Sequence, residues 1–105
     1  MIKEYYKLVR DLIPDIIEES GKKCLTEVLS DEEYLRMLDV KLDEELSEYH
    51  KDQNIEELAD ILEVLYAATK ARGYSVEQLE AVRAEKAAKR GSFNKKILLK
   101  QVIED

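Results

Sequence analysis

The chain has 105 residues, and its 24 acidic side chains against 17 basic ones give a formal net charge of −7. A chain of this length is expected to fold as a single domain, residues 1–105. The net negative charge argues against nucleic acid as a partner, because phosphate contacts need a basic surface. No apolar run approaches the ~18 residues of a membrane span, and no apolar signal segment follows Met1, so we expect a cytoplasmic protein without a membrane partner.

The N-terminal third contains one segment with helical spacing. Apolar residues three and four apart run from Leu8 to Ile17, and Gly21 marks the end of the segment. Pro14 fits a helix only in its first turn or at a kink. We therefore expect a first helix here, followed by residues 24–29, which look extended.

Three helix starts follow in chain order. Ser30 and Ser75 each begin a capping box, in which a hydroxyl and the side chain three residues later satisfy each other's exposed amide groups. Asn54 is a good N-cap residue. The predicted helices run from Ser30 to about Lys51, from Asn54 to Gly73 and from Ser75 to Gly91.

The last segment, residues 97–102, again looks extended. The sequence therefore predicts an all-α helical bundle of four to five helices. It also allows a short two-stranded ribbon between residues 24–29 and 97–102.

The most informative feature is a pair of acidic motifs on two successive helices. Glu45 and Glu48, and likewise Glu57 and Asp60, are three residues apart and share a helix face. A short turn would make the helices an antiparallel hairpin, with residue 45 level with residue 60 and residue 48 level with residue 57. Four converging carboxylates repel one another and favour a cation between them, and oxygen-only ligands select Mg²⁺ or Mn²⁺. A helical wheel places Glu44 nearly opposite the apolar stripe.

Charge is also segregated along the chain. Residues 39–60 hold nine acids and two bases, whereas residues 83–96 hold six bases and one acid. A site that binds a triphosphate needs both metal-binding carboxylates and basic residues. Lys7 and Arg10 form a second, smaller basic pair, predicted on one side of the first helix. Ordinary solvated surface charge is the alternative interpretation for the acidic and the basic segments.

Four motifs in this order resemble the MazG-like all-α nucleoside triphosphate pyrophosphohydrolase superfamily, and more narrowly the small phosphoribosyl-ATP pyrophosphohydrolase-like proteins. They span most of the chain. The motifs are YKLVRDLIP at residues 6–14, EELSE at residues 44–48, ELADILEV at residues 57–64, and Lys86 with RGSF at residues 90–93.

The resemblance implies a homodimer or homotetramer that hydrolyses a nucleoside triphosphate, standard or non-standard, to the monophosphate and pyrophosphate. Mg²⁺, or alternatively Mn²⁺, would be the cofactor, and Glu44 or Glu45 would act as general base. The implied metal ligands are Glu45, Glu48, Glu57 and Asp60. The implied phosphate-binding residues are Lys86 and Arg90, with Lys7 and Arg10 as further candidates.

Two alternatives stay open at this point. One is phosphoribosyl-ATP hydrolysis in histidine biosynthesis, which uses the same chemistry and the same metal ligands. The other is a non-catalytic acidic helical module, in which the acids serve solubility. Such a module would dimerise through an apolar face of the third helix formed by Ile61, Val64, Leu65 and Ala68.

Overall fold

The computed structural model describes residues 1–104, which contain four α-helices. This confirms the prediction of an all-α fold. Within the described range, none of the helices is both long and apolar enough to cross a membrane. The Cα positions group into two compact units, residues 1–74 and the residues from Ser75 onward. The helices are α1 (Ile13–Glu19), α2 (Asp31–Asp52), α3 (Ile55–Ala71) and α4 (Val76–Arg90).

The first helix is shorter than predicted. α1 begins at Ile13, with Pro14 in its first turn, and so the stretch from Leu8 to Leu12 precedes the helix. A helix that continued upstream would press the Pro14 ring against the carbonyl of Arg10, four residues earlier. The prediction that Lys7 and Arg10 lie on this helix is therefore wrong, because both belong to the irregular segment before it.

The ribbon that the sequence allows between residues 24–29 and 97–102 does not form, since neither segment is a strand in the structure. Leu25 and Leu98 are exposed, like most of the apolar side chains around them. The composition of both segments is typical of strands, but an isolated two-stranded ribbon is only marginally stable in water. Local propensity alone does not supply the additional packing that such a ribbon needs.

The other helix ends follow the local signals in the sequence. Ser30 accepts the amide hydrogen of Glu33 at 3.2 Å, and Asn54 caps α3 in the same way. The Glu33 carboxylate pairs with Arg36, while Ser75 forms the complete capping box at the start of α4. These caps fix where α2, α3 and α4 begin.

Helices α2 and α3 pack along each other as a hairpin joined by Gln53 and Asn54. Gln53 adopts the left-handed conformation (φ 53°) that turns the chain between them. The buried apolar side chains of this hairpin include Leu38 and Val64. Glu45 is buried as well, with 9% of its surface exposed. Burying a carboxylate costs folding free energy unless it is paired with a cation or coordinated to one. Glu45 therefore marks a polar site in the hairpin.

Candidate metal centre

Carboxylates from both helices gather where α2 ends and α3 begins. The central group consists of Glu45, Glu57 and Asp60, and the outer group of Glu48, Asp52 and Glu57. In each group, one oxygen from every residue lies within 4.8 Å of the others. All four predicted ligands therefore belong to these groups, which share Glu57. Asp52 is an additional member that the sequence interpretation missed.

The central group fits a small divalent cation. Oxygens bound to one Mg²⁺ at about 2.1 Å can be at most about 4.2 Å apart. The oxygens of the central group lie within 4.8 Å of one another and would draw closer together around such an ion. All the donors are carboxylate oxygens, which suit Mg²⁺ and Mn²⁺. Glu45, Glu57 and Asp60 are thus the residues that would hold such an ion.

The start of α3 positions Glu57 at this site. The Glu57 amide donates a hydrogen bond to Asn54 Oδ1 at 3.0 Å, which anchors the first turn. The positive end of the helix dipole favours an acidic side chain there. Asp60 lies one turn further along the same helix and thus on the same side as Glu57.

Mutual repulsion among these carboxylates acts on Glu57. Desolvation raises the pKa of its carboxyl above the ordinary value, and the negative charges of Asp60, Asp52, Glu48 and Glu45 raise it further. These four residues are the other members of the central and outer groups. A cation among them would relieve this repulsion.

Glu44 belongs to neither carboxylate group within the described residues, in keeping with its predicted position on the wheel. Two lysines hold it instead: Lys7 Nζ lies 3.0 Å and Lys41 Nζ 3.5 Å from Glu44 Oε1. Burial raises the pKa of Glu44, but the hydrogen bonds and charges of the two lysines outweigh it and leave that pKa lowered. The hydrogen bond to Glu44 likewise raises the pKa of Lys7.

Lys41 is a site residue that the sequence interpretation missed. Its Nζ lies 3.3 Å from Glu45 Oε1, and only 18% of its side chain is exposed. It therefore provides a positive partner for the buried Glu45 carboxylate. The available signal was its spacing, because Lys41 precedes Glu44 and Glu45 by one helical turn.

Arg10 contacts the central group directly. Arg10 Nη2 donates to Asp60 Oδ1 at 2.6 Å, and both side chains are partly exposed. Lys7 and Arg10, which were predicted to bind phosphate, thus both contact carboxylates in the structure. No periodic pattern in residues 1–12 predicts these partners.

The other two predicted phosphate ligands, Lys86 and Arg90, belong to the second compact unit. They lie four residues apart on α4 and line a common groove. Arg83 and Lys89 each pair with a glutamate of α4. Lys86 and Arg90 have no ion-pair partner within residues 1–104, which leaves their charges available to an anion.

Comparison with known proteins adds one relative. No family model matches the chain, and no solved structure matches it. A protein of Mycolicibacterium smegmatis, described as uncharacterized, is 52% identical over 42 residues. The match covers 40% of this chain and 43% of that protein, so the two align over less than half of either length.

Proposed function

We propose that this protein is a Mg²⁺-dependent nucleotide pyrophosphohydrolase, which hydrolyses a nucleoside triphosphate, standard or non-standard, to the monophosphate and pyrophosphate. The observation that carries the proposal is the convergence of Glu45, Glu57 and Asp60 across the α2–α3 hairpin. The order of the sequence motifs, which resembles that of MazG-like proteins, supports the same reaction. Mn²⁺ is the expected substitute for Mg²⁺, and the cytoplasm is the expected compartment.

The reaction is a hydrolysis at the bond between the first two phosphoryl groups. Water attacks a phosphorus of that bridge and gives up a proton to the general base, the bridging P–O bond breaks, and the monophosphate and pyrophosphate separate. Bound Mg²⁺ would supply Lewis-acid chemistry by neutralising phosphate oxygens and making water a better nucleophile. The central group would hold the ion, and Glu48 would add negative charge beside it.

Of the two candidate bases, Glu45 is the better one. Glu44 accepts hydrogen bonds from two ammonium groups, and these lower its pKa. A carboxylate with a lowered pKa is a weaker proton acceptor. Glu45 has one ammonium partner, Lys41, and belongs to the central group that would hold the ion and its water. Glu44 then serves to position Lys7 and Lys41.

The proposal assigns phosphate binding to basic residues. Lys86 and Arg90 would bind phosphate oxygens, because a guanidinium and an ammonium group are both strong donors to phosphate. Lys7 and Arg10 are the other phosphate candidates, and their present partners are acids.

A homodimer or homotetramer is the assembly that we propose. Leu58, Leu62 and Leu65 lie three and four residues apart on α3 and are 45%, 45% and 40% exposed. Val64, part of the face predicted for a dimerisation module, is already buried in the protomer. An exposed leucine stripe of this kind is typical of an interaction surface, and sedimentation velocity measures the resulting mass.

The direct test is product analysis on a panel of nucleotides that includes phosphoribosyl-ATP. We expect pyrophosphate and a monophosphate in Mg²⁺ and neither in EDTA. Asp60→Asn should abolish the release of pyrophosphate. Glu63→Gln should still release it, since Glu63 is exposed on α3 and lies outside both carboxylate groups. Folded wild-type protein that is inactive on every nucleotide, or full activity in Asp60→Asn, would contradict the proposal.

The same panel separates the alternatives. Turnover of phosphoribosyl-ATP alone would assign the protein to histidine biosynthesis. A helical dimerisation module would release no pyrophosphate and would show no saturable binding of Mg²⁺ or Mn²⁺.

A further inference from the structure

A segment of irregular backbone lies against the acidic hairpin. Residues 1–12, called here the N-terminal strap, precede α1 in the same compact unit as α2 and α3. Lys7 pairs with Glu44 on α2, and Arg10 pairs with Asp60 on α3. The strap therefore contacts both helices of the hairpin through ion pairs.

The two strap cations meet carboxylates with different roles. Asp60 belongs to the central group, so Arg10 occupies an oxygen of a candidate metal ligand. Glu44 lies outside the central group, and Lys7 can keep its contact there whether or not a metal is bound. Lys7 thus anchors the strap to α2, while Arg10 contacts a candidate metal ligand.

We propose that Arg10 is the counter-ion of Asp60 in the metal-free protein, and that a divalent cation entering the central group displaces Arg10 from Asp60 and makes it available to phosphate. This inference rests on the proposed function, which supplies both the cation and the phosphates. Arg10 is then a positioning and binding residue whose partner changes with metal occupancy.

Electrostatics favour this exchange. A guanidinium and a divalent ion on the same carboxylate are like charges a few ångströms apart, and they repel each other. Arg10 is 57% exposed, and an ion pair exposed to that degree is only weakly stabilising, so little is lost when it breaks. A guanidinium binds phosphate oxygens with the same planar geometry that it uses for a carboxylate.

Calorimetry on Arg10→Gln tests the exchange with two probes. The first is Mn²⁺ alone, which should bind the variant about two- to fivefold more tightly than wild type, because a competing cation has been removed. The second is inorganic pyrophosphate in saturating Mg²⁺, which should bind the variant more weakly. Arg10→Lys should restore Mn²⁺ affinity toward the wild-type value.

The matched control is Arg36→Gln, which removes the same charge from an exposed ion pair on α2. It should leave both affinities near wild type. If the role of Arg10 is purely structural, Arg10→Gln should bind both Mn²⁺ and pyrophosphate more weakly than wild type. If Arg10→Gln and wild type bind Mn²⁺ equally well, Arg10 does not compete with the metal. Either result overturns this inference alone. Folded wild-type protein that binds no Mn²⁺ overturns the proposed function, and this inference with it.

Discussion

Glu57 is repelled by more carboxylates than its neighbours are, because it belongs to both the central and the outer carboxylate group. Its pKa is raised by desolvation and by four neighbouring acids. An acid whose pKa rises on folding destabilises the protein above that pKa, and the penalty disappears below the pKa of the unfolded chain. We therefore expect Glu57→Gln to raise the free energy of unfolding of the metal-free protein at neutral pH and to have little effect near about pH 3.

Urea denaturation at the two pH values measures this difference. Glu56→Gln is the matched control, since Glu56 lies in the same first turn of α3 but outside both carboxylate groups. Both variants lose the same favourable interaction with the helix dipole. If Glu57→Gln is no more stable than Glu56→Gln at neutral pH, the repulsion is absent.

At the residue scale, the sequence predicts ligands better than it predicts their basic partners. The proximity of Glu45 and Asp60 was predictable, because helical geometry and one short turn determine which residues lie opposite each other across the hairpin. Lys41 had a spacing signal, but charged residues one turn apart are common in helices. The partner of Arg10 depends on how irregular backbone folds over the hairpin, and no periodicity encodes that path.

At the scale of elements, helix boundaries were predictable where a local device sets them. Ser30, Asn54 and Ser75 cap their helices as expected, because a cap is a contact between residues three apart. The first helix and the ribbon were not predictable in the same way. Pro14 shortens the first helix, and the two-stranded ribbon would need additional packing that short segments do not supply.

The Asn54 cap gives a prediction at this scale. Asn54→Ala should lower the free energy of unfolding by about 1 kcal/mol, because the first turn of α3 loses its side-chain acceptor. Chemical denaturation measures the change. Asn54→Ser keeps an acceptor and should stay near wild type, and a loss of stability as large as that of Asn54→Ala would show that capping is not the role of this side chain.

At the scale of the whole molecule, the net charge of −7 has a local origin. Residues 39–60, with nine acids and two bases, carry that entire excess, and the rest of the chain is neutral overall. A divalent cation bound at the hairpin would offset part of this charge. Since the unfolded chain lacks the assembled site, such an ion would also stabilise the fold in proportion to the logarithm of its concentration.

Calorimetric titration of Mn²⁺ into the metal-free full chain tests this site most directly. We predict saturable binding by wild type and by Glu63→Gln. In Asp60→Asn and Glu45→Gln we expect affinity to fall by at least about tenfold, since even the loss of a residue that only hydrogen-bonds a metal ligand typically costs that much. Folded wild-type protein without saturable binding, or equal affinity in Asp60→Asn and Glu63→Gln, would contradict a metal centre at the α2–α3 hairpin.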